Sequence, residues 1–481
     1  MSVESNLPKC QVFTPNNMAK KILDNVNYKQ DISNKHILEN SCGNGNILAE
    51  IVKRYIKDSL KNNISFLDIR HGLETYIHGY DIDNECCITT MQKLDKIASH
   101  YKILNVNWDI VNADFLHDFC AKNINTRFDY IVGNPPYINY KELSIATRTF
   151  LKTSFQSCSK GKFDYCYAFI EASLKLLAQD GQLVYIVPNS ILKNVFGIEL
   201  RNIMKPYIRE IIDYTGENVF KNVLISPIVF VCENSETTNN LSYKNLSTKM
   251  TLNINKSNLN DKWIFSPQKH EVQKVKFSDL FHASISIATL YNDAFVFQEN
   301  AITKSDTDYF IVSNYKIERS SVRKCASPRS KTYNKNLYII FPYKTDENNS
   351  VVKFKSVKDF RTFFPRTAEY LSSFKEKLLA RDADKAANWF EYGRSQALKN
   401  IGQPKLLLST IITQKVMVYE LDTNTVPYSG IFITAQNGND LKQAKQILES
   451  SEFLNYVQEI GISANGSSKR ITVRDINNYI L

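Results

Sequence analysis

The 481-residue chain lacks several features that would assign it to a broad protein class. It has no long apolar run, although 43% of its residues are hydrophobic. This pattern argues against a membrane-spanning helix and predicts a globular protein with a sizeable core. The N-terminus shows no basic region followed by an apolar stretch, which would mark a secretory signal. We therefore expect a cytoplasmic protein without membrane association.

Cysteine is present without any ordered spacing. The nine cysteines are odd in number and form no Cys-x-x-Cys pair, so we expect neither a metal site nor a disulfide framework. A reducing cytosol agrees with this usage. The chain also lacks internal repeats and low-complexity tracts, and its length is sufficient for two or three domains.

Excess positive charge is missing from the first half of the chain. Residues 1–240 sum to zero, whereas residues 241–481 carry the whole net charge of +11. This asymmetry favours a polyanionic partner bound mainly by the second half; the alternative is a merely basic surface. Residues 234–240 are polar, so we predict a catalytic domain over 1–240 and a second domain over 241–481.

Short apolar runs alternate with amphipathic stretches in the first half. This alternation predicts an α/β fold with a mixed, mostly parallel sheet and helices on both faces. The second half mixes strands and helices without that rhythm and is expected to be an α+β domain. The predicted strands lie at 37–38, 75–80, 110–111, 130–132, 183–187, 211–214 and 228–231, and the predicted helices at 47–55 and 163–179.

The apolar run 128–133 ends in Asn134-Pro135-Pro136-Tyr137. Two consecutive prolines fix φ and remove two N–H donors. We therefore expect the Asn134 amide oxygen and the Pro135 carbonyl oxygen to converge beside an aromatic ring. Such a pocket suits a planar group with an exocyclic amine, which a Pro-Pro loop of purely structural function does not explain.

A second motif, Glu39 to Gly45, follows a strand and precedes a helix. Gly43 and Gly45 allow a tight turn and a close approach to a ligand. The third glycine of the dinucleotide fingerprint is missing. Glu39 precedes the glycines and Asp81 ends the next strand, so carboxylates are available for the cationic methionine end and the ribose hydroxyls of S-adenosylmethionine.

The order of these motifs resembles the DNA adenine-N6 methyltransferases of the Asn-Pro-Pro-Tyr type. In their gamma-like order, found in type II restriction-modification methylases, the cofactor motifs come first and the target-recognition domain is C-terminal. The resemblance is strong over the first half and looser over the second. It implies S-adenosyl-L-methionine as cofactor, double-stranded DNA as partner and N6 of a flipped-out adenine as methyl acceptor. It also implies a separately encoded endonuclease for the same site, and we expect a monomer.

The resemblance assigns roles to individual residues. Tyr137 and Phe220 would stack on the target base, whose extrusion from the duplex costs roughly a few kcal/mol. Helix capping by Thr14 and core packing by Phe169 or Phe220 are the alternatives. The implied cofactor-binding residues are Thr14, Glu39, Ser41, Gly43, Gly45, Asp81, Ile82, Asp114, Phe115, Asn134 and Phe169.

Parts of the second half also resemble the family's recognition domain, at 281–289, 292–297, 392–396 and 470–476. Arg394 is the candidate for reading a base, because arginine bonds guanine bidentately; a structural arginine is the alternative. We predict that four basic residues contact DNA phosphates: Arg323, Lys324, Arg329 and Lys331. The alternative is that they form a solvated face without a partner.

Two departures from the family pattern concern Asn40, where proline is common, and the long segment 53–76; we interpret both as loop variation. The opening motif of the resemblance, Val12-Phe13-Thr14-Pro15, begins at Val12, so we expect no nuclease upstream. Methylation of RNA or of a protein glutamine, and a non-catalytic protein with a methyltransferase fold, remain alternatives. The basic second half favours DNA.

Overall fold

The computed structural model describes residues 13–217, 219–220, 226–236, 238–265, 275–305, 307–346, 350–464 and 467–481. The chain divides into two compact units, Met1–Lys269 and His270–Leu481. The boundary therefore lies later than the predicted one at 240/241, because two further strands join the sheet of the first unit. In the described ranges no helix is long and apolar enough to cross a membrane.

The first unit combines one large sheet with helices. Its strands are β1 (Ile37–Glu39), β2 (Ile77–Asp81), β3 (Asp109–Asn112), β4 (Phe128–Gly133), β5 (Leu177–Pro188), β6 (Ile208–Asp213), β7 (Pro227–Glu233), β8 (Asn240–Asn245) and β9 (Met250–Asn255). Its α-helices are α1 (Asn16–Asn25), α2 (Asn46–Lys61), α3 (Phe66–Tyr76), α4 (Asn84–His100), α5 (Phe115–Cys120), α6 (Ile145–Ser154), α7 (Cys166–Leu176) and α8 (Ile198–Met204). Short 3-10 helices occupy Gln156–Cys158, Asn189–Leu192, Val195–Gly197 and Lys256–Asn258.

The nine strands have the order β3-β2-β1-β4-β5-β7-β6-β8-β9. Strands β3, β2, β1, β4 and β5 pair in parallel, whereas β7 is antiparallel to both of its neighbours. This is the expected mixed, mostly parallel sheet. The chain order reverses between β1 and β4, and ligands of open α/β sheets bind at such a switch point, beyond the carboxyl ends of the strands.

The central strand β5 contains a continuous buried apolar run, residues 183–187, because both faces of the sheet are covered there. Successive side chains of a strand point to opposite faces. Leu183 and Tyr185 of β5 accordingly belong to one core cluster, and Val184 and Ile186 belong to the other. Continuous apolar runs of this kind are typical of parallel strands buried on both sides.

Two predicted elements have different bounds in the structure. The run 75–80 is split, because α3 ends at Tyr76 and β2 begins at Ile77. The predicted helix 163–179 ends at Leu176, since Leu177 already pairs with Phe128 of β4. The ladder then shifts register, so the predicted helix stop at Asp180-Gly181 lies within a strand irregularity of the bulge type.

The hairpin of β8 and β9 extends the sheet beyond the predicted domain boundary. Strand β8 pairs in parallel with β6 and in antiparallel with β9. The buried Tyr243 hydroxyl of β8 donates to the Asp213 carboxylate of β6 over 2.8 Å, and the Tyr243 ring stacks on Phe265 at a centroid distance of 4.2 Å. These contacts make the hairpin part of the first unit.

The second unit has several small sheets and short helices, as expected for an α+β domain. Its four-stranded sheets have the orders β10-β23-β19-β21 and β11-β16-β15-β22. The strands are β10 (Phe281–Ile285), β11 (Val296–Gln298), β12 (Ile302–Ser305), β13 (Tyr309–Val312), β14 (Tyr315–Glu318), β15 (Val322–Ala326), β16 (Leu337–Ile340), β17 (Lys344–Thr345), β18 (Val351–Val352), β19 (Lys405–Leu408), β20 (Ile411–Ile412), β21 (Val418–Leu421), β22 (Val426–Pro427), β23 (Ile431–Ala435), β24 (Ile462–Ser463) and β25 (Lys469–Arg470). The α-helices are α9 (Phe277–Leu280), α10 (Asn292–Phe295), α11 (Pro328–Thr332), α12 (Val357–Phe363), α13 (Pro365–Ser372), α14 (Lys375–Leu379), α15 (Leu441–Glu449), α16 (Ser451–Ile460) and α17 (Val473–Asn477), with 3-10 helices at Glu299–Ala301, Arg319–Ser321 and Gln396–Asn400.

Candidate active site

The glycine loop between β1 and α2 has the backbone that its sequence predicts. Gly43 and Gly45 have φ values of 51° and 72°, which L side chains rarely adopt. A Cβ atom on Gly45 would lie 2.7 Å from the Thr90 side chain, and one on Gly43 would lie 3.3 Å from the Phe13 ring. The Thr14 carbonyl accepts a 2.8 Å hydrogen bond from the Asn46 amide. The structure thus brings Phe13 and Thr14 against the glycine loop.

Two carboxylates hold the glycine loop from within. Glu39 is 2% exposed and accepts the Leu48 N–H over 3.0 Å; burial raises its pKa. Asp81 accepts N–H groups from Gly43 at 2.7 Å and Asp83 at 2.9 Å. Burial also raises the pKa of Asp81, against the effect of these hydrogen bonds. A carboxylate offers about four acceptor positions, so Asp81 retains acceptors for hydroxyl groups of a ligand.

Aromatic residues predicted at the adenine end of the cofactor lie together. The rings of Phe115 and Phe169 have centroids 5.5 Å apart. Both rings also belong to the core, so the packing alternative for Phe169 is realised. Asp114 caps α5 by accepting the Leu116 N–H at 2.9 Å, and Ile82 is exposed at the end of β2. Paired aromatic rings beside a carboxylate fit the adenine of S-adenosylmethionine.

The Asn134 side chain is already hydrogen-bonded, contrary to the expectation that its amide oxygen faces outward. The Tyr137 hydroxyl lies within hydrogen-bonding distance of the Asn134 amide oxygen and of the Ile186 carbonyl oxygen. A phenol has one proton and donates to one acceptor at a time. Burial raises the pKa of Tyr137, so this donor stays protonated.

The Asn-Pro-Pro-Tyr motif, which the sequence predicts to be the catalytic motif, is joined directly to the glycine loop. The Ser41 hydroxyl donates to the Asn134 carbonyl oxygen over 3.2 Å, and Pro135 is buried between partly buried neighbours. The sequence assigned Ser41 to cofactor binding and did not reveal this link. Ser41 therefore couples the end of β1 to the end of β4, across the switch point.

Asn40, interpreted as loop variation, lies in the turn after β1 and is a buried member of a polar network. The Tyr185 hydroxyl donates to the Asn40 amide oxygen at 2.7 Å, and the Asn40 amide donates to Ser173 Oγ at 3.0 Å. Ser173 Oγ lies 2.7 Å from Tyr185 Oη and closes the ring of hydrogen bonds. Tyr185 pairs with Gly133, where a Cβ atom would lie 3.3 Å from the tyrosine ring. The network therefore lies directly behind the catalytic motif.

Segment 53–76, also interpreted as loop variation, is mostly helical, since it contains the end of α2 and all of α3. Phe220, predicted to stack on the target base, is 3% exposed and lies in a core cluster. Phe220 thus packs in the core, which was the alternative to stacking on the target base. Val12 lies outside the described residues.

A carboxyl group that the sequence did not single out fixes the exit of the catalytic motif. The Asp164 carboxylate accepts the Cys166 N–H at 3.1 Å, and the Tyr165 N–H donates to the Ile138 carbonyl at 3.0 Å. Burial raises the pKa of Asp164 to about 6. In the sequence, Asp164 is an acidic residue just before α7. A helix N-cap explains an acidic residue at that position equally well.

The basic residues predicted to bind DNA differ in their environments. The Arg323 guanidinium is partly buried and packs 3.5 Å from the centroid of the Phe341 ring, and burial lowers its pKa. Lys324, Arg329 and Lys331 are exposed. Arg394 forms ion pairs with Asp384 at 2.6 Å and Asp382 at 3.3 Å, which is the structural alternative for that residue.

Curated proteins with restriction-modification functions are similar to this chain. It is 25% identical over 339 residues to "Type II restriction enzyme and methyltransferase RM.Eco57I" of Escherichia coli, covering 60% of this chain and 33% of the relative. It is 25% identical over 317 residues to "Type II methyltransferase M.HincII" of Haemophilus influenzae, covering 62% and 54%. The chain thus spans about a third to about half the length of these relatives.

Solved structures share the fold at low sequence identity. The DNA complex of the "Type IIL restriction-modification enzyme MmeI" has a TM-score of 0.60 at 12% identity, over 96% of this chain and 64% of that chain. A nuclease-deletion mutant of the "Type ISP restriction-modification enzyme LlaGI", bound to a DNA substrate mimic, has a TM-score of 0.59 at 12% identity, over 93% and 43%. The model of one protein family, described as Eco57I restriction-modification methylase, matches residues 24–220. Residues 24–220 are therefore similar to the methylases that this family model describes.

Proposed function

We propose that this protein transfers a methyl group from S-adenosyl-L-methionine to N6 of a flipped-out adenine in duplex DNA, as the modification component of a restriction-modification system. The observation that carries the proposal is the hydrogen bond between Ser41 and the Asn134 carbonyl. It joins a glycine loop suited to the cofactor to an Asn-Pro-Pro-Tyr motif suited to an exocyclic amine. The two reactants would therefore meet at the switch point of the sheet.

The catalytic residues act on the amine as hydrogen-bond acceptors. The lone pair of an exocyclic amine is delocalised into the ring, so the nitrogen is a poor nucleophile. When the Asn134 amide oxygen and the Pro135 carbonyl oxygen accept its two protons, the nitrogen becomes more tetrahedral and its lone pair is directed outward. This interaction strengthens as the new bond forms, so it favours the transition state.

Tyr137 has a second acceptor for its proton. In the structure its hydroxyl can donate to Asn134 or to the Ile186 carbonyl. When the hydroxyl donates to Ile186, it no longer donates to the Asn134 amide oxygen, which can then accept a hydrogen bond from the incoming amine. The Tyr137 hydroxyl therefore keeps an acceptor after this movement. A buried hydroxyl without a hydrogen-bond partner would cost about 1–3 kcal/mol. The exchange therefore admits the amine without losing a hydrogen bond of the protein.

The cofactor residues fit S-adenosylmethionine by their chemistry. When bound, it supplies the methyl group on a sulfonium. Thr14 and Glu39 would hold the methionine end, Asp81 the ribose hydroxyls, and Asp114 with the Phe115 and Phe169 rings the adenine. Asp81 also fixes the Gly43 N–H, so the loop is preorganised before the ligand arrives.

DNA is the acceptor that the comparisons favour over RNA or a protein glutamine. The relatives are named as type II methyltransferases of restriction-modification systems, and two structural neighbours were solved with DNA or a DNA mimic. A base in a duplex cannot reach a pocket at the sheet edge without leaving the stack. A separately encoded endonuclease acting on the same site completes the proposed system.

The decisive experiment compares wild-type protein with Asn134→Ala. We expect methyl transfer from labelled S-adenosylmethionine to duplex DNA by the wild type, with N6-methyladenine found at one recurring sequence. The variant should bind the cofactor with similar affinity by calorimetry, while its single-turnover rate falls by orders of magnitude. Methylation of RNA or a glutamine peptide instead of DNA would identify a different acceptor. A near-normal rate in the variant would contradict the role of Asn134.

A further inference from the structure

Residues 140–163 form an excursion that leaves and re-enters the fold beside the catalytic motif. Asn139 and Asp164 form an isolated antiparallel bridge, and the Tyr165 N–H donates to the Ile138 carbonyl at 3.0 Å. The two ends of the excursion are therefore tied together just after Tyr137. The start and the end of the excursion therefore lie next to the site at which the target base would enter.

Charge is concentrated in this excursion. It contains five basic residues and one acidic residue, Glu142, for a net charge of +4. Because residues 1–240 sum to zero, the remainder of that stretch carries a net −4. Within residues 1–240, net positive charge is thus concentrated in the excursion. The basic residues are Lys141, Arg148, Lys152, Lys160 and Lys162.

Tyr140 lies among these cations at the base of the excursion. The Arg148 guanidinium lies 4.5 Å and the Lys152 ammonium 5.3 Å from the centroid of the Tyr140 ring. The Phe163 ring, which directly follows Lys162, packs edge-on against Tyr140 at 5.1 Å. Arg148 and Lys152 therefore both contact the ring of Tyr140, which lies three residues after Tyr137. Lys141 directly follows Tyr140 in sequence, and Lys162 directly precedes Phe163.

Two of the five cations have structural roles. Arg148 donates to the Tyr140 carbonyl at 2.7 Å and the Lys141 carbonyl at 2.8 Å, which fixes the loop. Lys160 pairs with Glu199 at 2.8 Å. The remaining three, Lys141, Lys152 and Lys162, are exposed. Their ammonium groups suit phosphate oxygens, which they contact as point charges.

We propose that Lys141, Lys152 and Lys162 form a phosphate-binding surface that grips the DNA strand carrying the target base. The inference rests on the proposed function and extends it, because it assigns a DNA contact to the catalytic unit. A strand held beside the pocket keeps the phosphates on either side of the extruded nucleotide in place. Such contacts position the strand without reading its sequence.

The test is a salt series of binding to cognate duplex, scrambled duplex and the single target strand. The triple variant Lys141→Gln, Lys152→Gln, Lys162→Gln is compared with Lys57→Gln, Lys61→Gln, Lys96→Gln, three exposed lysines of α2 and α4. Removal of each lysine–phosphate interaction should reduce the slope of log K against log salt by about 0.9 for duplex and about 0.7 for a single strand. We expect that reduction on all three DNAs in the first variant and none in the control.

The outcomes separate this inference from the proposed function. A slope unchanged from wild type, or reduced equally in the control, would overturn the phosphate-binding surface. A reduction on duplex but not on the single target strand would overturn the assignment to that strand. Cofactor affinity and melting temperature are measured alongside and should match wild type. A wild-type protein that neither binds nor methylates DNA would instead contradict the proposed function itself.

Discussion

At the scale of single residues, the candidate site depends on buried polar groups whose partners are distant in sequence. Asn40, Ser173 and Tyr185 each donate and accept one hydrogen bond in a closed ring. The hydrogen bonds of such a network strengthen one another in a low-dielectric interior. Removal of one side chain leaves the polar groups of the others without a hydrogen-bond partner. Gly133 packs on this ring, so the network supports the backbone that precedes Asn134.

Tyr185→Phe should lower both stability and the rate of methyl transfer. The loss of one hydroxyl leaves Asn40 and Ser173 short of a partner, at a cost of about 1–3 kcal/mol in the free energy of unfolding. Because the network lies behind Gly133, we expect a lower single-turnover rate at unchanged cofactor affinity. Denaturant unfolding and rapid-quench assays measure both effects.

The control for this variant is Tyr28→Phe. The Tyr28 hydroxyl is also buried, but it has no hydrogen-bond partner in the part of the chain that the structure describes. Its removal should be neutral or stabilising. Equal effects of the two substitutions, or an unaltered rate in Tyr185→Phe, would exclude a positioning role for the network.

Because the Asp164 carboxyl is buried, we expect the stability of the folded protein to depend on pH. Burial raises its pKa from 3.8 to about 6 in the folded protein. A raised folded pKa means that the folded state binds the proton more tightly, so this group's contribution to stability increases as pH falls from about 6 to about 3.8. Above pH 6 the ionised carboxylate lowers stability. Asp164→Asn should therefore raise the melting temperature at pH 8.

The comparison is a series of melting curves for wild type and Asp164→Asn between pH 8 and pH 5. The advantage of the variant should shrink as pH falls through 6, because the wild-type carboxyl becomes neutral as well. A constant difference across the series would show that Asp164 does not titrate in this range.

At the scale of elements, hydrogen bonding between strands decides where the first unit ends. The polar stretch 234–240 looks like a linker because it lacks apolar residues. Strand β8 nevertheless follows it and pairs with β6. Since a strand needs only alternate apolar residues when one face is exposed, its sequence signal is weaker than that of the central strands.

Tyr243→Phe tests whether β8 belongs to the catalytic unit. The substitution keeps the stacking on Phe265 but removes the donor to the buried Asp213 carboxylate. We expect a loss of about 1–3 kcal/mol in the free energy of unfolding. Hydrogen exchange should accelerate in β6 and remain at its wild-type level in β19 of the second unit. Equal acceleration in both strands would contradict this assignment.

At the scale of the whole molecule, charge is shared between the two units. The later boundary assigns residues 241–269 to the first unit, with five lysines against one aspartate. The net charges are therefore +4 for residues 1–269 and +7 for residues 270–481. Both units therefore carry net positive charge, so the proposed DNA binding need not depend on the second unit alone.

Neutralising Lys324, Arg329 and Lys331 together should reduce the salt slope of DNA binding by about 0.9 for each phosphate that the variant no longer binds. Cognate and scrambled duplexes should weaken equally, because phosphate contacts carry no sequence information. Arg323→Gln is the matched control: its guanidinium packs on Phe341, so we expect a lower melting temperature and an unchanged slope. A slope that changes only in Arg323→Gln would place the phosphate contact at that residue.

The sequence by itself determined the motifs, the α/β class and the placement of the candidate site residues after β1, β2 and β4. Those properties depend on local patterns: apolar runs, glycines with φ near 50–70° and prolines after a strand. Tertiary structure decided which polar groups meet. Asn40 and Tyr185 are distant in sequence, and so are Ser41 and Asn134. Whether a polar side chain reaches solvent, a ligand or another buried group depends on packing between elements, which no local pattern specifies.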